Sequence, residues 1–100
     1  MSIVEIDRYR CDPAKLESVM RARPGDVEEL MERYRSLGAL HHRFVARGQD
    51  LLLIDEWPSI EASTRFWLDP VAMRLAREAE IPLEPVEYGY FRSMTDPSEF

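Results

Sequence analysis

The sequence predicts an α+β domain whose elements follow the order βα(α)ββα(α)β. Three observations carry that reading. Short β-branched or aromatic runs interleaved with charge stand at the start, middle and end of the chain. Between them lie two stretches whose apolar residues keep a three-and-four spacing, the mark of amphipathic helix. Ser or Asp-Pro pairs stand where those helices should begin. The result is a split βαβ of ferredoxin-like type, an antiparallel sheet with its helices on one face.

The first strand is "IVEIDRYR", Ile3 to Arg10. Asp12 and Pro13 then suit an N-cap and a first helical position. Apolar positions from Leu16 through Val19, Met20, Val27, Leu30, Met31 and Tyr34 to Leu37 share one face, interrupted by "RPGD" at Arg23 to Asp26. Proline removes a donor and clashes with the preceding turn, so a kink or break is expected there. Asp26 and Glu29 have the spacing of a capping box, and Gly38 is expected to end the second piece. "ALHHRFVARGQDLLLIDEW" reads as a hairpin, with strands near Ala39 to Ala46 and Leu51 to Trp57 about a turn at "RGQD". Ser59 caps the next helix, Asp69-Pro70 splits it, and Pro82 and Pro85 end the helical region. Val86 to Met94 is the last strand. One domain over residues 1–94 is expected, with a polar tail at 95–100.

The 100 residues carry a net charge of −6, which argues against a nucleic-acid surface or an anionic membrane patch. Twelve of the thirteen cationic residues are arginine, scattered among carboxylates as on a solvated face. Cys11 is the only cysteine, so neither an internal disulfide nor a cysteine-based zinc cluster can form, and nothing near it predicts a reactive thiol. "MSIVEIDRYR" turns charged by its fifth residue, unlike a signal peptide, and no apolar run approaches the ~20 residues of a membrane helix. A soluble, cytoplasmic protein is the expectation.

The third strand, "LLLI", is apolar on both parities, and the last puts Val86, Tyr88 and Tyr90 on one side and Phe91 on the other. A sheet apolar on two faces needs two covers, and the helices supply one. A second copy of the chain supplies the other most simply, so a two-fold homodimer is predicted.

The strand-to-helix join "IDEWPSIEAS", the segment "LHHRF" and the βαββαβ order resemble the antibiotic-biosynthesis-monooxygenase-like family of the dimeric α+β-barrel superfamily, over roughly the first 94 residues. The resemblance implies two sheets closing into a barrel at a dimer interface, with a pocket between sheet and helices in each subunit. Members of that family include cofactor-free monooxygenases acting on anthrones or quinols, haem-degrading enzymes, lactone isomerases, and proteins with no known reaction. The haem-degrading branch carries an asparagine in the first strand, a tryptophan on the second helix and a haem-ligating histidine beyond it. Asp7, Trp67 and Arg77 stand at those positions here, so one of the three matches, and the chain has no asparagine at all.

The resemblance implies a monooxygenase or isomerase that needs no cofactor and acts on a planar, hydrophobic, polyketide- or quinone-like molecule. Two alternatives accompany it: a non-catalytic small-molecule-binding or accessory barrel, and a haem-binding protein with an atypical ligand. His41 and His42 are adjacent in a strand and point to opposite faces, so they cannot chelate one metal together, and no metal site is predicted. One of them should face the pocket or the barrel interior, as a general base near neutral pH or as a polar residue at the dimer seam. Asp7 is the third catalytic candidate, since aspartate sits poorly in mid-strand. Strand parity makes Val4 and Ile6 the core face and leaves Asp7 on the barrel side or in solvent; the resemblance turns Asp7 toward a pocket instead.

Trp57 should seal the end of a core. Trp67 is either core or a flat wall for a planar substrate. Arg77 belongs to a solvated face with Arg74, Glu78 and Glu80, or anchors a substrate anion. Tyr88 and Tyr90 share a strand face, where their hydroxyls could orient a ligand or simply be satisfied within the packing.

Overall fold

The computed structural model of the chain describes residues 2–100, in the element order β1 (Ile3–Arg10), α1 (Pro13–Ala22), α2 (Pro24–Ser36), β2 (His41–Arg47), β3 (Asp50–Trp57), α3 (Ile60–Trp67), α4 (Pro70–Glu78) and β4 (Glu87–Arg92). The four strands form one antiparallel sheet in the order β2-β3-β1-β4. This is the predicted ferredoxin-like α+β fold. None of the described helices is long and apolar enough to cross a membrane.

Local chemistry sets the helix ends. The Asp12 carboxylate accepts from the Ala14 N–H, Ser59 Oγ from Ala62, and Asp69 from both Val71 and Ala72. Pro13, Pro24 and Pro70 begin α1, α2 and α4, where a missing N–H costs nothing. Pro24 breaks the first helical region in two, as its ring requires. The Asp26–Glu29 capping box does not form. Pro24 starts α2 two residues before Asp26, on an Arg23 N-cap that makes no side-chain bond, and Asp26 instead pairs with Arg74 of α4 at 2.8 Å.

Gly38 follows α2 at φ +84°, the left-handed conformation that glycine adopts without cost. An added Cβ would also lie 3.2 Å from the Pro58 ring. Gly38→Ala is therefore expected to destabilise the fold by about 1–2 kcal/mol, measured by urea unfolding.

All four helices pack on the face that carries Glu5, Asp7 and Tyr9 of β1. One core cluster joins Cys11, Leu16, Leu51 and Ala79; the other joins Tyr34, Trp57, Ala62 and Phe66. This reverses the expectation that Val4 and Ile6 mark the core side. Those two residues share the outer face with Val45, Leu52, Ile54 and Phe91, half-buried or exposed. The alternation in β1 points the wrong way because the inward carboxylates, which a parity rule assigns to solvent, are accommodated by specific partners or by protonation.

Candidate functional site: a cavity backed by buried carboxylates

Strand pairing lines up one polar residue from each strand across the inner face. His42 of β2 is opposite Asp55 of β3, Asp55 is opposite Glu5 of β1, and Glu5 is opposite Tyr90 of β4. Directly paired residues project to the same face, so the four form a continuous row beneath the helices. Glu5 and Asp55 are each 1% exposed, and Asp7, two residues along β1, is fully buried.

Each carboxylate is handled differently. The Glu5 oxygens accept three hydrogen bonds, from Trp57 Nε1 at 3.0 Å, Ser63 Oγ at 2.7 Å and Trp67 Nε1 at 2.9 Å. Both tryptophans thus end on one carboxylate. Asp55 accepts from His42 Nδ1 at 2.6 Å and from the Tyr34 hydroxyl at 2.9 Å. Burial nevertheless leaves the Asp55 pKa above its ordinary value, the bonds from His42 and Tyr34 only partly opposing it. Burial and the neighbouring Asp55 charge keep Tyr34 protonated, hence a donor.

Neither oxygen of Asp7 closes a well-aligned hydrogen bond. Burial, first, and then the Glu5 carboxyl beside it, as acceptor for an acid proton and as like charge, push the Asp7 pKa up to about 9. Asp7 is therefore a neutral acid at pH 7.

A cavity of about 180 Å³ lies between the sheet and the helices, its walls almost wholly apolar. Tyr9, Tyr34, Phe44, Phe66 and Trp67 give it aromatic walls, while His42 and Asp55 supply its polar end. Trp67 (39% exposed), Met73 (37%) and Leu83 (76%) mark where it opens to solvent. An engineered apolar cavity of about 150 Å³ holds benzene. One ring therefore fits inside, and a larger ring system would project through the mouth.

His42 and Trp67 are the two sequence candidates that line the cavity. His41 is exposed on the opposite face of the sheet. Asp7 lies behind the wall rather than in it. Tyr90 is half-buried, its hydroxyl 3.1 Å from Ser63 Oγ, and Tyr88 is exposed, packing edge-on against Trp67 outside. Arg77, in the last turn of α4, is exposed and does not reach the cavity. Trp57 is fully buried in the core. Sequence reasoning missed Glu5, Asp55 and Tyr34. The available signal was parity: in "LLLIDEW" Asp55 shares a face with Trp57 and Leu51, and the two-residue turn of the hairpin places His42 opposite it.

No sequence-family profile matches the chain, and neither does any curated protein. Solved structures do match. SnoaB from Streptomyces nogalater, described as a cofactor-independent oxygenase, aligns over 98% of both chains at TM-score 0.64 and 18% identity. Rv0793 from Mycobacterium tuberculosis aligns over 98% of this chain and 100% of its own, at TM-score 0.59 and 16% identity. A candidate antibiotic biosynthesis monooxygenase from Caulobacter crescentus covers 93% of this chain and 90% of its own, at TM-score 0.64 and 12% identity. The chain has the antibiotic-biosynthesis-monooxygenase fold. At these identities the likeness is one of architecture, and within that fold the chemistry rests on the side chains of the cavity.

Proposed function

We propose that the protein is a cofactor-independent monooxygenase or isomerase acting on a planar, hydrophobic, polyketide- or quinone-like molecule. The observation that carries this reading is the His42–Asp55 pair at the polar end of an apolar, aromatic-walled cavity. By accepting from Nδ1, Asp55 selects the tautomer whose Nε2 is free to take a proton, and then stabilises the imidazolium that forms. Tyr34 holds the second Asp55 oxygen and packs against the His42 ring at 4.5 Å, the two planes tilted by 36°, fixing both. Trp67, its indole tied to Glu5, is the flat wall. Tyr88 packs edge-on against that wall from outside, and Tyr90 bonds Ser63, which shares the Glu5 carboxylate with Trp67.

In this mechanism His42 Nε2 removes a proton from an activated phenol, enol or methylene carbon, leaving an electron-rich anion. Reprotonation at another carbon completes an isomerisation. Alternatively the anion reacts with O₂: for an anthrone, carbon gains a peroxide, the O–O bond breaks, one oxygen stays as the carbonyl and the other leaves as water. O₂ is the only oxidant that step consumes. The fold shared with a cofactor-independent oxygenase supports the oxygenase branch. The test is O₂ uptake with a panel of anthrones and quinols, alongside ligand binding by calorimetry. Uptake above the uncatalysed rate supports the oxygenase, and isomer formation without uptake supports the isomerase. Saturable binding with neither identifies a binding protein.

We also infer a two-fold homodimer in the cytoplasm, built through the outer face of Val4, Ile6, Val45, Leu52, Ile54 and Phe91. Phe91 is 56% exposed on that face, so Phe91→Asp should leave the subunit folded while dissociating the dimer. Light scattering should then fall from twice the chain mass to the chain mass. A wild-type protein already monomeric at micromolar concentration contradicts the assignment.

A further inference from the structure

We infer that the cavity takes its ligand uncharged or cationic and rejects aromatic carboxylates. The inference deepens the reading of this cavity as a ligand site and rests on it. No lysine or arginine lines the cavity among the described residues, whereas Asp55 forms part of its wall. Glu5 sits directly behind, opposite Asp55 in the strand register, with its charge held by three donors and buried away from screening water. The one basic group, His42, is bonded through Nδ1 to Asp55, so the pair is negative when the ring is neutral and neutral when it is protonated. In neither state does it offer a net positive charge.

The aromatic walls act in the same direction. Tyr9, Tyr34, Phe66 and Trp67 line the space, and the faces of such rings attract cations and repel anions. The cationic candidate, Arg77, lies outside on a solvated face. A substrate acid of the mechanism above therefore enters protonated and loses its proton only to His42. A preformed anion meets a negative, weakly screened end wall.

The test compares three ligands sharing one naphthyl body, titrated calorimetrically into the full chain at pH 7.5: 2-naphthol, 2-naphthylmethylammonium and 2-naphthoate. Both charged heads lose hydration on entry, so their ratio isolates the sign of the field from desolvation. The naphthol and the ammonium are expected to bind, the ammonium at least about tenfold more tightly than the carboxylate. A ratio below tenfold, with the naphthol still binding, overturns the charge selection and leaves the ligand site standing. Failure of all three to bind overturns the ligand-site reading as well. Asp55→Asn should narrow the ratio several-fold. Glu5→Gln serves where that variant does not fold, and an unchanged ratio in a folded variant shows that these carboxylates are not its source.

Discussion

Asp7→Asn is expected to stabilise the protein, and to do so increasingly as the pH rises. The native Asp7 pKa is about 9, against 3.8 for an unperturbed aspartate. Between those values the folded chain keeps a proton that the unfolded chain releases. The folded state thus binds more protons, and stability falls as pH climbs from about 4, levelling only above 9. Asparagine has the shape of the neutral acid, carries no proton to lose, and its amide can donate to Glu5. The variant should match wild type near pH 4 and exceed it by a few kcal/mol at pH 7, each pKa unit being worth about 1.4 kcal/mol. Thermal unfolding of both proteins from pH 4 to 9 gives the difference curve. A flat curve, or a variant less stable at pH 8, would mean that Asp7 is ionised in the native state.

Loss of the imidazole at position 42 should cut turnover steeply while loss of its neighbour should not. General-base catalysis commonly contributes about 10²- to 10⁴-fold. His42→Gln is expected to lower kcat by about that range, with ligand affinity changed far less because the aromatic walls remain. His41→Ala should leave both kcat and KM within about twofold of wild type, as His41 is exposed on the other face of the sheet. Equal losses in the two variants would place the base elsewhere. The same pair of substitutions tells a binding protein from an enzyme, because in the former neither alters anything but affinity.

The fold was legible because its signals are local. Asp12-Pro13, Ser59 and Asp69-Pro70 each act within one helical turn, and the hairpin turn is set by neighbours, with Gly48 at φ +60°. The capping box at Asp26 failed because Pro24, two residues earlier, is a stronger start. The facing of the sheet was legible only in β3, where Asp55 shares a parity with Leu51 and Trp57, and not in β1. Glu5 is inside because Trp57, Ser63 and Trp67, from more than fifty residues away, converge on it. Asp55 is inside because Tyr34 and His42 do the same. Such partnerships depend on tertiary arrangement, and a parity rule that sends carboxylates to water has no access to them. For the same reason the sequence could name His42 and Trp67 as candidates but not the groups that hold them.

The polar row also settles a choice that the apolar residues leave open. The two-residue turn sets the register of β3 on β2, but along β1 a slide of two residues preserves parity and keeps Leu51 and Leu53 facing inward. Hydrophobic burial scarcely distinguishes the aligned pairing from the slipped one. The carboxylates do distinguish them. A two-residue slip puts Asp55 opposite Asp7 or Ile3 instead of Glu5, and carries Trp57 Nε1 away from the Glu5 carboxylate it bonds. Breaking such a pairing costs about 3–5 kcal/mol, a large share of the stability of a small domain. The acids that burden this core therefore act as its indexing pins, and replacing all of them with leucine would give a sheet with more than one way to align.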